Sequence, residues 1–198
     1  MNAHLAWDIA RAGGFVAFAL LTVAVCLGLA VSLRLTSSRW PRFVTNDLHQ
    51  YLTVLAIAFL AVHITGVVLD PYAHISLVQA IIPFSASWRP LPLSLGIVAF
   101  ELMIALWLSS RFRARIGYHA WRRLHYLTFA VFVAALLHGM YSGTDSQQPW
   151  ATGLYVVAMA AVGGLVTRRI TLMRRRTSVG EAHMKAKVSG GATSREAL

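Results

Sequence analysis

Residues 51–69 read YLTVLAIAFLAVHITGVVL, an apolar run broken only by His63. A helix that crosses the hydrocarbon core of a bilayer needs about 20 mostly apolar residues, so this run is long enough to span a membrane. Similar runs occupy residues 15–33, 93–108, 124–141 and 150–167. Lipid offers the backbone no hydrogen-bond partners, and none of the runs alternates like a barrel strand. The sequence therefore predicts an all-α, polytopic membrane bundle of five transmembrane helices.

The composition excludes the other broad classes of protein. Of the 198 residues, 57% are hydrophobic and 13% are charged, whereas about a quarter are charged in a soluble domain. The chain is also too apolar to remain disordered in water. A single cysteine, Cys26, excludes an internal disulfide framework and a cysteine-based metal cage.

The basic residues predict how the bundle is oriented. Most of the 18 Lys and Arg residues lie in residues 34–42, 111–123 and 168–195, which a five-helix alternation places on one side. The other side carries only Arg11 and Arg89. Since Lys and Arg favour the cytoplasmic face, we expect the N-terminus outside and the C-terminus inside the plasma (inner) membrane. The net charge of +11 is explained by this topology, so no nucleic-acid partner is expected.

The segments outside the five runs carry three further expectations. The first run is too long for the apolar part of a cleaved signal peptide, and arginines follow it. Residues 173–198 are basic and polar, which predicts a disordered cytoplasmic tail beside anionic membrane lipid, separate from a membrane domain at residues 1–172. The external connection at residues 70–92 is either a segment on the membrane surface or a lid over the outer end of the bundle.

Four histidines lie in two of the predicted helices, and their spacing is informative. His49 and His63 are 14 residues apart, about 21 Å along a helix, and His125 and His138 are 13 apart, about 20 Å. Because both helices start inside, His49 is level with His125, and His63 is level with His138. Two imidazoles at each depth, with no further ligand, suit bis-histidine haem, whereas zinc needs a third or fourth protein ligand.

The alternative for these histidines is ordinary hydrogen bonding between membrane helices. A spacing of 13 residues also turns the second ring about 140° from the first on an ideal helix. We therefore expect the fourth helix to deviate from ideal winding near Gly139, or to present its histidines from different edges. The remaining histidines fall in termini and connections and are expected to be surface residues: His4, His74, His119 and His183.

The pattern resembles the ferric reductase-like transmembrane domain, the haem b core of ferric reductases and NADPH oxidases, over about residues 8–168. The resemblance rests on the histidine spacings and on Trp121-Arg122-Arg123-Leu124-His125, with weaker support from Pro83-Phe84, Arg89-Pro90 and residues 143–146 (GTDS). It implies two stacked b haems that conduct electrons outward. The ligands would be His49 with His125 for the inner haem and His63 with His138 for the outer haem.

The same resemblance suggests which residues contact the haems. Arg122 and Arg123 lie within one turn of His125 and are candidates for the inner propionates; their alternative role is in topology and lipid binding. Trp121 of the same motif is a further candidate for cofactor binding. Arg11 is a candidate for anchoring an outer propionate or attracting an acceptor, and its alternative is a plain interfacial arginine.

The resemblance also limits the function. The sequence shows no flavin or nicotinamide domain, so we expect a separate electron donor, either a flavoprotein reductase or a membrane quinol. External acceptors would be ferric chelates, oxygen or a redox partner protein, although Val67 replaces a histidine found in some oxidases and weakens the case for oxygen. The alternatives are the haem subunit of a periplasmic methionine sulfoxide reductase and a haem-free transporter or scaffold.

One acidic residue in the third run is unexplained by this function. Glu101 lies near mid-bilayer, where a carboxyl is costly unless it is neutral or paired. It would relay protons, assist a quinol or, as we expect, form a hydrogen bond to a neighbouring helix.

Overall fold

The computed structural model describes residues 5–35 and 41–193, and every regular element in them is a helix. In chain order the helices are α1 (Leu5–Leu33), α2 (Arg42–Leu69), α3 (Leu77–Ile81), α4 (Pro90–Arg111), α5 (Arg113–Ile116), α6 (Tyr118–His125), α7 (Thr128–Ser142) and α8 (Pro149–Thr193). Five segments are long and apolar enough to span a membrane: α1, α2, α4, α6 with α7, and α8 as far as Arg175. The predicted all-α bundle of five transmembrane helices is confirmed, and the protein is an integral, multi-pass membrane protein.

The helix ends follow local sequence signals. After α1, Arg34 takes a left-handed conformation (φ 56°), and the amide of Leu35 donates to the carbonyl of Ala30 at 3.0 Å. This hydrogen bond satisfies a carbonyl at the helix end that the helix itself leaves unpaired. Pro90 opens α4 at a position where its missing N–H carries no penalty. Thus α1 ends before its basic connection, and α4 starts sharply after its proline-rich one.

The five spans pack mainly through α1, which lies along α2 and also contacts α7 and α8. Gly66 of α2 allows a close approach to α1, because a Cβ there would lie 2.9 Å from the Cβ of Ala10. Phe18 of α1 stacks on Phe132 of α7 at 5.9 Å and meets Tyr155 of α8 edge-on at 5.5 Å. Aromatic and aliphatic contacts therefore fix α1, α7 and α8 as one packed group.

A second seam joins α4 to α7 and positions the other half of the bundle. Ala99 and Met103 of α4 are buried with Val131 of α7 and Ala56 of α2. Within the described ranges, α2 and α7 have no comparable seam and face one another across a gap. Histidines line this gap, so the packing itself leaves room between two helices where a planar group can lie.

The fourth span is interrupted directly after His125. Tyr126 and Leu127 separate α6 from α7, and their amides donate to the carbonyls of Arg123 (3.2 Å) and Leu124 (2.9 Å), three residues earlier. Three residues per turn overwinds the chain by about 20° per residue relative to an α-helix. The deviation from ideal winding that we expect near Gly139 is thus found at residues 126–127, and Gly139 lies inside the regular helix α7. The extra winding at residues 126–127 reduces the angle of about 140° by which an ideal helix would separate His125 and His138.

The last helix continues through the segment predicted as a tail. Its backbone is helical from Pro149 to Thr193 and so extends well beyond residue 173. Whether residues 173–198 form a unit separate from residues 1–172 stays a prediction. Residues 36–40, which include Arg39, lie outside the described part of the chain.

The connection at residues 70–92 has features of both predicted roles. Its short helix α3 is closed by a capping box between Ser76 and Gln79 and exposes Leu77 and Val78, as expected for a segment on a membrane surface. Ile75 is buried, and together with Trp88 it lines a cavity inside the bundle. The connection therefore also closes one end of that cavity.

Candidate functional site

The four membrane histidines form two pairs across the gap between α2 and the fourth span. The ring centres of His49 and His125 are 6.2 Å apart, with an interplanar angle of 76°. Those of His63 and His138 are also 6.2 Å apart, at 78°. The structure thus brings the residues together in the predicted combinations, and the two pairs have nearly the same geometry.

Three of the four imidazoles are fixed by backbone carbonyls of a neighbouring helix. Nδ1 of His49 donates to the carbonyl of Ala24 at 2.7 Å, and Nδ1 of His63 donates to that of Ala10 at 2.7 Å. Nδ1 of His138 donates to the carbonyl of Pro92 at 2.9 Å. A carbonyl can only accept, so each Nδ1 carries the proton. Each Nε2 is then left with a free lone pair, as a metal ligand requires.

A glycine lies behind each of these three rings. A Cβ added at Gly96 would be 2.6 Å from Nδ1 of His138, and one at Gly14 would be 2.9 Å from Nδ1 of His63. Gly28 stands behind His49 at the looser distance of 3.4 Å to Cε1. The glycines therefore provide the room in which each ring approaches the neighbouring backbone.

The carbonyls and glycines recur at a fixed spacing. Each glycine lies four residues after the accepting carbonyl: Ala10 with Gly14, Ala24 with Gly28, and Pro92 with Gly96. We call each such combination a carbonyl–glycine pair. The two pairs on α1 are 14 residues apart, which is the separation of His49 and His63 on α2. The antiparallel helix α1 thus holds both imidazole rings of α2 through a carbonyl–glycine pair at each ring.

His125 is held differently. Its Nδ1 is buried and has no hydrogen-bond partner among the described residues. Instead, the indole of Trp121 lies against the imidazole, with ring centres 5.1 Å apart and planes inclined by 29°. The indole N–H donates to Oγ of Ser110 on α4 at 3.2 Å. An aromatic contact therefore takes the place of the backbone hydrogen bond.

The paired geometry fits one metal centre between two imidazoles. Two metal–nitrogen bonds of about 2 Å, with about 1 Å from each nitrogen to its ring centre, add up to about 6 Å. Among the side chains that the structure describes, those of residues 5–35 and 41–175, no three His, Cys, Asp or Glu form a group that could hold a metal ion. The chain thus offers two protein ligands at each level, which suits a group that brings its own equatorial ligands, as haem does.

A cavity of about 200 Å³ adjoins the His63–His138 pair. Both histidines line it, as do Gly14 and Gly96, and its remaining wall is largely apolar. Oγ of Ser142 is one of its few polar atoms, is buried, and has no partner among the described residues. An unpaired hydroxyl in an apolar cavity is a feature that a bound polar group would explain.

Arg11 lines this cavity. Its guanidinium forms an ion pair with Asp145, in the connection between α7 and α8, and a longer one of 3.5 Å with Asp8. Nε of Arg11 is buried with no partner in the described part of the chain. Arg11 therefore has a donor available toward the cavity, while Asp145 neutralises part of its charge.

The other residues predicted to contact the haems lie in different environments. Trp121 contacts His125 directly, whereas Arg122 is exposed and donates to the hydroxyl of Tyr118 at 2.7 Å. Arg123 is exposed. Arg113 lies over the outer face of the Trp121 ring at 5.2 Å. The motif at residues 121–125 thus supplies one aromatic contact to the pair and a basic surface beside it.

The residues outside the pairs lie as follows. His74 and His119 are exposed and apart from both pairs, whereas His4 and the side chain of His183 fall outside the described residues. Glu101 is exposed on α4, and no hydrogen bond joins it to another described residue. The expected bond to a neighbouring helix is therefore not formed among the described residues.

Several residues of the site are not evident from the sequence. The accepting carbonyls belong to Ala10, Ala24 and Pro92, whose side chains carry no signal of this role. The repeat of Gly14 and Gly28 at the same spacing as His49 and His63 is the one feature that could have indicated them. Asp145 belongs to the motif at residues 143–146, but its partner Arg11 lies far away in the sequence.

Comparison with known proteins gives a match to a protein family. The family described as ferric reductase like transmembrane component matches residues 13–136, which is more than half of the chain. The match includes His49, His63 and His125 and ends just before His138. Comparisons with curated proteins and with solved structures give no match. The chain belongs to the ferric reductase-like transmembrane component family.

Proposed function

We propose that the protein carries electrons across the plasma membrane through two b haems, one held by His49 and His125 and the other by His63 and His138. Membrane components of this family generally bind haem, and the family assignment suggests transmembrane electron transfer. The observation that carries the proposal is the repeated pair geometry, with 6.2 Å between ring centres at both levels. When bound, haem supplies a one-electron iron centre at each level.

The chain positions the ligands in advance. The carbonyls of Ala10, Ala24 and Pro92 hold three imidazoles in the tautomer whose Nε2 faces the gap. The cavity at the His63–His138 level is lined mainly by apolar side chains, which exclude water and maintain a low dielectric around that site. At the His63–His138 level, Nε of Arg11 and Oγ of Ser142 are the donors available to propionate oxygens.

The basic surface beside His125 supports a separate electron donor. Arg113 and Arg115 are exposed on α5, and Arg122 is exposed on α6. Family members generally work with separate donor domains or proteins. We propose that an acidic flavoprotein docks on this cytoplasmic surface, with membrane quinol as the other candidate donor. The acceptor, a ferric chelate, oxygen or a redox protein, would be reduced at the opposite end, near Arg11.

The test is haem quantification on the purified full chain with a reduced-minus-oxidised absorption spectrum. We expect two b haems per chain with the α band of low-spin, six-coordinate iron. A chain that binds no haem after expression with ample haem would refute the proposal and favour the transporter or scaffold. Copurification with an external molybdenum enzyme would instead favour the methionine sulfoxide reductase system.

A labelling experiment tests the orientation. In a Cys26→Ser background, a cysteine replacing Gln147 in the α7–α8 connection should react with a membrane-impermeant maleimide on intact cells. A cysteine replacing the exposed Ala114 in α5 should react only after lysis. The reverse pattern would place the arginine-rich connection outside.

A further inference from the structure

The two levels differ in how their histidines are fixed. At the His63–His138 level both Nδ1–H groups donate to backbone carbonyls, at 2.7 Å and 2.9 Å. At the other level only His49 does so, because Nδ1 of His125 has no partner among the described residues. The rings are equally spaced at both levels, so the difference lies in their support and not in their separation.

The sequence of α4 locates the missing carbonyl–glycine pair. On α1 the two pairs are 14 residues apart, and the same step along α4 from Pro92 and Gly96 leads to Leu106 and Ser110. Ser110 bonds to Trp121 of α6, the helix that carries His125, just as Pro92 bonds to His138 of α7. Leu106 and Ser110 therefore occupy the register of the fourth pair, with serine in place of glycine.

The hydroxyl of Ser110 donates to the carbonyl of Leu106, which is the position of the carbonyl that accepts from an imidazole in the other three pairs. Oγ of Ser110 donates to the carbonyl of Leu106 at 3.0 Å, and Oγ of Ser109 donates to it at 2.8 Å. Ser110 also accepts the indole N–H of Trp121, and that indole lies against His125. The side chain that replaces glycine thus supports the aromatic contact instead of a backbone bond to His125.

We propose that Ser110 is a positioning residue that keeps Nδ1 of His125 free of a backbone hydrogen bond, and that the haem at the His49–His125 level consequently has the higher reduction potential of the two. This inference rests on the proposed function. It goes beyond it by assigning different electronic properties to two sites whose ligands are the same.

The direction follows from the electronics of the ligand. A hydrogen bond from Nδ1–H to a carbonyl makes the imidazole a stronger donor, which stabilises the oxidised iron and lowers the potential. His125 lacks this bond, so its level favours the reduced state. The exposed arginines of α5 and α6 act in the same direction, because nearby positive charge favours the state that has gained an electron.

The difference has a consequence for electron flow. An electron supplied at the His49–His125 level remains there at equilibrium, because the next step leads to a site of lower potential. Transfer onward is then driven by removal of the electron at the far end or by arrival of a second one. The level next to the basic surface would serve as the store for the first electron.

The test is the variant Ser110→Gly, which restores glycine at the fourth position of the repeat and removes one of the two side-chain hydroxyls that donate to the carbonyl of Leu106. Made in a His63→Ala background, it is read by potentiometric titration of the haem at the His49–His125 level. We expect the oxidised-to-reduced ratio at a fixed potential to rise about tenfold, equivalent to a 59 mV fall for a one-electron couple. The low-spin EPR spectrum should shift as well, since it reports ligand basicity.

The matched control is Ser109→Gly, which removes the other hydroxyl on that carbonyl but keeps the Ser110 side chain in the glycine position and its bond to Trp121. We expect its potential to stay within a twofold change of that ratio. If Ser110→Gly fails to fold, Ser110→Ala serves instead, with a smaller fall in the same direction. Equal potentials at the two levels of the wild type, or an unchanged potential in the Ser110 variants, would overturn the inference while leaving two haems and the proposed function in place.

Discussion

Substitution of Gly96 by alanine should disrupt the His63–His138 level. The new Cβ would lie 2.6 Å from Nδ1 of His138, whereas ordinary contacts begin at 3.4 Å. The ring or the helix must therefore shift by about 0.8 Å, several times the tolerance of about 0.2 Å on a metal–ligand bond. The shift also strains the 2.9 Å bond to the carbonyl of Pro92, whose loss costs about 1 kcal/mol.

The assay is haem per chain, with the spectrum of the haem that remains. Alanine raises helix propensity by about 0.5–1 kcal/mol over glycine, so loss of haem in Gly96→Ala cannot be attributed to a weaker helix. The matched control is Gly28→Ala, where the new Cβ lies 3.4 Å from Cε1 of His49 and both haems should be retained. Gly163→Ala, with nothing within 4 Å, controls for the change in propensity. Retention of two haems with an unaltered spectrum in Gly96→Ala would refute the reasoning.

Three further predictions concern other parts of the bundle. His63→Ala should remove one haem and leave the other reducible by a cytoplasmic donor, while His119→Ala leaves the spectrum unchanged; haem loss in the latter variant would mean that the ligand set is wrong. Asp145→Asn should lower the free energy of unfolding in detergent by about 1 kcal/mol, and a double-mutant cycle with Arg11→Gln should show coupling rather than additive losses. Glu101→Leu should raise the free energy of unfolding in lipid bicelles by about 2 kcal/mol, because the carboxyl is exposed within a membrane span; a loss of stability would reveal a partner that it needs.

The membrane fold could be predicted from the sequence because each span carries its own signal. An apolar run such as residues 51–69 needs no tertiary context to become a helix in lipid. The pairing of His49 with His125 and of His63 with His138 follows from helix rise and from the shared direction of the two helices, since spacings of 14 and 13 residues give nearly equal depths. These properties depend on one helix at a time, and the structure agrees with them.

The remaining features depend on contacts between helices. The break at Tyr126 lies within an apolar sequence that has no proline, and helix propensity gives no indication of it. The role of Gly96 depends on where α7 packs, and a glycine in a membrane helix has several other common uses. Likewise, a bond from Glu101 to a neighbouring helix depends on how α4 packs, and in the structure Glu101 is exposed instead.

The two carbonyl–glycine pairs of α1 set the separation between the two histidine levels. Because both rings of α2 are docked on one continuous helix, the length between Gly14 and Gly28 dictates how far apart the two sites stand. Inserting a single residue between them would rotate one docking position by about 100° and displace it by about 1.5 Å relative to the other. The number of residues between the two glycines is thus constrained separately from the side chains that pack α1 against its neighbours.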